Sequence, residues 1–339
     1  MGCSLSKLLV GFGKRTWTSW STHTQPLFYF PTFFLDSKNP WCSHEFIAEI
    51  GIDELHSLVK PHILSQSISW KPPCKAHFEK TFLSLQHSLH SGLLRKAVPF
   101  VFEEASSTIS KSLLAHSIFH LLEYAQKFPV HVYGFWDTRE GILGATPEVL
   151  FTLDREKLLL ETMACAGTAA TAQNENLLKS PKDIHEHQLV VDGIVQSLTR
   201  FGSIDISSPK VVSFGQLSHI ITPIVLKMDS DIPYEMIISA LHPTPALGAF
   251  PKEAGNSWLL DYEAQLPRGR FGAPVGFMNE SKMSCYVGIR NMQWNNGCVK
   301  IGAGCGVVPQ SIFEHEWSEI QQKICAIKAM LGHMLLIEK

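Results

Sequence analysis

Two stretches far apart in the chain share one grammar, and any fold must accommodate both. Residues 178–191 read LKSPKDIHEHQLVV, with Asp183 and Glu186 three positions apart. The apolar residues that follow, Leu189, Val190, Val191, Ile194, Val195, Leu198 and Phe201, recur with helical spacing. Both acids therefore share one face of a helix near its N-terminal turn. Residues 313–324 read FEHEWSEIQQKI, where Glu316 and Glu319 are again three apart and Trp317, Ile320, Ile324, Ile327 and Leu331 form the apolar stripe. Two such helices can hold one hard divalent cation between them. Mg²⁺ suits a few carboxylates, several waters and an acidic substrate. Charged residues near helix ends also serve as solvated caps and dipole partners, and the pattern alone leaves both uses open.

The 339 residues permit one large domain or two ordinary ones. With 45% apolar residues, 18% charged residues and a formal net charge of -2, the chain reads as a soluble globular protein. This balance gives no electrostatic basis for binding nucleic acid or an anionic membrane. No apolar run reaches the roughly eighteen residues of a spanning helix. The eight cysteines are scattered, with no C-x-x-C pair, which reads as reduced thiols and a cytoplasmic setting. Met1-Gly2-Cys3-Ser4-Leu5-Ser6 formally fits an acylation pattern, too loosely to carry an expectation of lipidation.

Residues 1–75 are rich in aromatics, Ser, Thr and Pro and read as short strands at the periphery of the same domain. Residues 76–335 form the main region. Helices are expected over 77–92, 110–128, 234–241 and 314–336, besides the helix that carries Glu186. Strands are expected over 97–102, 131–137, 142–153, 157–168 and 211–226, with a hairpin turn at 154–156 and further strands from 272 to 308. Many antiparallel strands with helices between them indicate an α+β fold: large antiparallel sheets packed in the interior, helices on the outside.

Ten motifs follow one another in a recognisable order: GLLRKAV (92–98), GATPE (144–148), AGT (166–168), KDIHEH (182–187), LSHIIT (217–222), LHPTPALGAFP (241–251), RGRFGAPVG (268–276), GIR (288–290), GAGCGVVP (302–309) and EWSEIQQK (316–323). Together they resemble the chorismate-utilising enzymes: isochorismate synthase, salicylate synthase, and the large subunits of anthranilate and aminodeoxychorismate synthase. The resemblance spans roughly residues 75 to 335 and implies that family's fold, with chorismate as the small-molecule substrate. By position it assigns Mg²⁺ to Glu186 and Glu319, with Asp183 and Glu316 as supporting acids. It makes Lys96 the base that activates water and Glu148 the acid that protonates the departing hydroxyl, with His219 near that hydroxyl. It gives the substrate Arg290, Lys323, the backbone around Gly167, Thr168 and Gly304, and the wall residues Ala246, Leu247 and Phe271.

Each of these residues also has an ordinary structural place. Lys96 fits a helix-end lysine, Glu148 a strand-end turn, Arg290 a surface strand and His219 a satisfied strand histidine. A zinc reading of His185, His187 and His315 is the rival for the metal, but HEHQL lacks the H-E-x-x-H spacing.

Within the family, the HPTPA segment resembles isochorismate synthases, whereas the ammonia-using members carry a PAG[ST] type. Aminodeoxychorismate synthases place a nucleophilic lysine where Ala246 stands, and anthranilate synthases lack the counterpart of Lys96. The implied reaction is isochorismate formation, with water added at ring C2 and hydroxyl lost from C4, serving menaquinone or a salicylate-type siderophore and needing no glutaminase partner. The alternatives are salicylate synthase, an ammonia-dependent synthase component, and a homologue that binds chorismate without turnover. One departure from the family pattern is the segment Ala97-Val98-Pro99-Phe100-Val101 after Lys96, where an arginine is missing and a proline should disturb sheet pairing.

Overall fold

β-Branched and aromatic runs punctuated by glycine and proline assemble into two antiparallel sheets in a computed structural model that describes residues 7–20, 26–62 and 68–333. The acylation-like stretch at 1–6 lies outside the described residues. The larger sheet has ten strands. Its order is Lys7–Thr18, Trp41–Gly51, Leu27–Tyr29, Pro274–Asn279, Lys282–Val287, Val149–Asp154, Leu159–Ala170, Leu217–Met228 and Gly202–Ile206, with Lys210–Phe214 also pairing to Leu217–Met228. The smaller sheet has five, in the order Phe100–Ser106, Cys298–Gly304, Asn291–Asn295, Glu140–Thr146 and His131–Trp136. A two-residue pairing, Lys96–Ala97 with Ala249–Phe250, stands apart from both.

Helices cover the sheets. Pro181–Leu198 begins with Ser180, whose hydroxyl accepts the Asp183 amide, and with a proline in its first turn. Its apolar stripe, Val190, Val191, Ile194 and Leu198, is buried with Tyr234–Leu241 in the core of the larger sheet. Lys111–Lys127 and Phe313–Met330 pack with both sheets through Leu121, Ile327, Met292, Val299 and Ile221. Lys75–His90 closes a third cluster with Trp317 and Ile320. Among the described residues, no helix is long and apolar enough to cross a membrane.

Two of the places where the chain changes sheets are adjacent. It leaves the smaller sheet after Thr146 and enters the larger at Val149, then returns between Val287 and Asn291. The junctions are tied to each other: the Ala145 amide donates to the Arg290 carbonyl at 3.2 Å, and the Val287 amide to the Glu148 carbonyl at 3.1 Å. Gly144 makes that approach possible, since a Cβ there would lie 2.5 Å from the Arg290 carbonyl.

Several sequence expectations need correction. The strand expected over 142–153 is two strands in different sheets, broken at Pro147-Glu148. That over 211–226 is a hairpin, turning at Gly215 with φ 67°. That over 97–102 is interrupted at Val98-Pro99, where a proline cannot donate to a ladder. Lys252–Gln265 is a helix that the periodicity did not reveal. The last helix runs Phe313–Met330, shorter than the expected 314–336, of which 334–336 lie outside the described residues.

Leu198 is fully buried between its helix and the larger sheet. Leu198→Ala should lower the unfolding free energy by about 2–5 kcal/mol, measured by chemical denaturation.

Candidate active site

The two-residue strand Lys96–Ala97 buries a lysine side chain. Lys96 is 1% exposed; its Nζ donates to the Pro245 carbonyl at 2.9 Å and lies 3.3 Å from Glu186 Oε1. Burial drives the lysine toward its neutral form, only partly offset by Glu186. Backbone bonds between Ala97 and Val307 (2.8 and 3.1 Å) press the segment 305–307 against this pair. Gly306 is what fits: a Cβ there would collide with Glu186 Oε1 and lie 2.7 Å from Lys96 Cε.

The sheet junctions supply the second group. Glu148, in the first junction, is buried, and burial pushes its carboxyl up to about 7 against the pull of Lys96, Lys323 and Arg290. Arg290, in the second, holds a left-handed backbone (φ 55°) and donates from Nη2 to His219 Nε2 at 3.1 Å. Arginine can only donate, so His219 Nε2 accepts and its proton sits on Nδ1, facing the Gly167 carbonyl (3.3 Å) and Thr168 Oγ1 (3.2 Å). Burial, reinforced by Arg290, keeps this imidazole neutral. The geometry depends on a bulge: strand Leu159–Ala170 gains one residue against Leu217–Met228, and Gly167 takes φ 75° at that point.

The acid pairs of the two helices meet at Lys182, a residue the sequence reading passed over. Its Nζ lies 3.1 Å from Glu186 Oε2, 3.0 Å from Glu316 Oε1 and 3.8 Å from Asp183 Oδ1. Burial alone would discharge this lysine, but Glu186, Glu316 and Glu319 hold it firmly charged. Glu186 is held below the usual carboxylate range in spite of burial, by Lys182 and Lys96, while burial raises Glu316. Glu316 Oε2 is buried without a hydrogen-bond partner. Glu319 pairs with Lys323 at 2.7 Å, and Lys323 also donates to the Gly304 carbonyl at 2.7 Å.

These groups surround one cleft, whose free interior is about 80 Å³. Lys96, Glu148, Glu186, His219, Glu319, Gly167, Thr168, Arg290, Gly304 and Lys323 all line it. Ala246, Leu247 and Phe271 form an apolar part of the wall. Asp183 and Glu316 stand behind the lining, in contact with Lys182. The zinc histidines do not converge: His187 binds Thr222 Oγ1 at 2.8 Å and His315 is exposed. Among the described residues, no three His, Cys, Asp or Glu side chains form a metal-holding group by themselves. Hard carboxylate oxygens from two helices, one of them buried without a partner, nonetheless fit Mg²⁺, which takes few protein ligands and keeps waters or substrate oxygens.

A family model described as a chorismate binding enzyme matches residues 51–332. The chain belongs to the chorismate-binding enzyme family. It is 33% identical over 201 residues to the salicylate-biosynthesis isochorismate synthase of Pseudomonas aeruginosa, covering 56% of this chain and 42% of that one. It is 27% identical over 253 residues to the isochorismate synthase MenF of Haemophilus influenzae, covering 72% and 58%. The chain thus spans about half the length of the curated relatives it matches. The fold matches the solved structure of MenF, the menaquinone-specific isochorismate synthase of Escherichia coli, with a TM-score of 0.74 at 18% identity, covering 97% of this chain and 86% of that one.

Glu148 yields a pH test. Its carboxyl titrates near 4.5 when unfolded and at about 7 when folded. Between those values the folded chain retains a proton that the unfolded chain releases, so stability falls as pH rises through this window. Glu148→Gln should flatten the decline in melting temperature between about pH 5 and about pH 7.5 and be the more stable form at the upper end, as calorimetry can measure.

Proposed function

We propose that the protein is an Mg²⁺-dependent isochorismate synthase. One observation carries the reading: a buried lysine driven toward neutrality and a buried glutamic acid driven toward protonation line one cleft. Those are the states a general base and a general acid need near neutral pH.

With chorismate in the cleft, neutral Lys96 takes a proton from the water that attacks ring C2. Its own hydrogens remain directed at Pro245 and Glu186. Protonated Glu148 gives its proton to the C4 hydroxyl, which leaves as water while the ring double bonds shift. Arg290, steadied by neutral His219, offers its guanidinium to a substrate carboxylate, and Lys323 offers an ammonium. Leu247 and Phe271 exclude bulk water from one side of the ring. Glu186 and Glu319 would hold Mg²⁺, with Asp183 and Glu316 supporting them. Bound there, the ion would neutralise and orient a carboxylate of the substrate.

Ala246 in place of a nucleophilic lysine supports water, rather than an enzyme amine, as the attacking group. The relatives named above divide between salicylate and menaquinone routes, and isochorismate is the product common to both. The reading includes a cytoplasmic setting, supported by seven unpaired cysteines among the described residues, and no glutaminase partner.

The test is purified protein with chorismate and Mg²⁺, with products separated by chromatography. Isochorismate is expected; its absence from a folded preparation would remove the proposal. Release of pyruvate with salicylate would extend the activity, and product formed only with added ammonia would reassign it. Lys96→Ala and Glu148→Gln should each lower kcat by about 10²–10⁴-fold, and Glu319→Ala should abolish the magnesium-dependent rate. Activity should fall as the pH is lowered and Lys96 takes up a proton, and again above about pH 7 as Glu148 loses its proton.

A further inference from the structure

Lys182 sits where the two acidic helices meet. Its ammonium touches Glu186 and Asp183 on its own helix and Glu316 on the other, at 3.1, 3.8 and 3.0 Å. Lys96 reaches only Glu186 of this group, and Lys323 only Glu319. Lys182 is thus the only basic side chain joined by ion pairs to acids of both helices among the described residues. A buried set of carboxylates without countercharge would be strongly destabilising. Glu316, 2% exposed, still has one oxygen without a partner, so a single ammonium does not exhaust the donors of the set.

We infer that Lys182 is a positioning residue that serves as an internal counter-ion for the metal-binding carboxylates and competes with the divalent cation for them. Because three acids converge on its Nζ, a dication on Glu186 and Glu319 must share Glu186 with that ammonium or displace it. The resident charge keeps the two helices together and lowers the affinity of the cluster for free Mg²⁺. An anionic substrate that adds its own carboxylate restores the balance, so cation and substrate reinforce each other's binding. The inference rests on the magnesium reading above, and the experiment separates the two.

Mg²⁺ binding to the parent and to Lys182→Met is measured by titration calorimetry without substrate, with melting temperatures taken in chelator and in saturating Mg²⁺. Lys182→Met should bind Mg²⁺ at least about tenfold more tightly, a coupling of the size measured for close charge pairs. It should melt lower than the parent in chelator and regain more of its stability on adding the ion. If the parent takes up no Mg²⁺, with or without chorismate, the metal reading itself fails. If the parent binds Mg²⁺ but Lys182→Met binds it equally or more weakly, the role of Lys182 alone is overturned. Should Lys182→Met not fold in chelator, Lys182→Gln serves for the same comparison. Failure of both neutral variants to fold even in saturating Mg²⁺ also overturns the inference, because the dication would then be unable to replace the ammonium.

Discussion

A lysine amine and a carboxylate packed against each other away from water organise this molecule. Lys96 and Glu186 lie 90 positions apart in numbering, yet each is almost wholly covered, and losing Lys96 would take from the buried Glu186 carboxylate one of its two lysine partners. Holding them together requires four separate segments to coincide: the short strand of Lys96, the helix of Glu186, the turn that presents the Pro245 carbonyl, and the side-chain-free backbone at Gly306. Ordinary sheet and helix packing brings these segments near one another, and the contact between the two side chains fixes their final spacing.

The remaining polar groups divide into two sets with different supports. Glu148 and Arg290 belong to the junctions between sheets, bound to each other's neighbours through the backbone. Asp183, Glu186, Glu316 and Glu319 belong to helices that reach the cleft from the outer layer. The first set has little freedom to move, because each junction is continuous with strands on both sides. The second is joined by the ion pairs of Lys182 where the helices meet, so the ionic composition of the cluster bears on how those helices sit.

Much of this was legible in the sequence. Acids three apart on striped helices marked both halves of the carboxylate cluster, and strand periodicity announced antiparallel sheets. What escaped had local causes. Thr146-Pro147-Glu148 interrupts two apolar runs, and alternation cannot tell a strand that continues from one that changes sheets. The helix Lys252–Gln265 contains Gly255 and Asn256 and buries few residues, so its stripe is faint. Lys182 adjoins an acid pair and has the look of a solvated partner at a helix start; only the arrival of Glu316 from a distant helix gives it a buried role. The clue available was a lysine immediately before two acids on a helix that must bury them.

The extra residue at Gly167 gives strand length a meaning beyond span. Up to Ala166 this strand pairs with its neighbour in one register, and from Thr168 onward in the next. That offset is what brings the Thr168 hydroxyl and the Gly167 carbonyl to the imidazole of His219. Deleting Gly167 would keep every functional side chain in the protein yet reverse the parity of the strand end. The instruction that aims the imidazole is therefore written in a count of residues as much as in their identities.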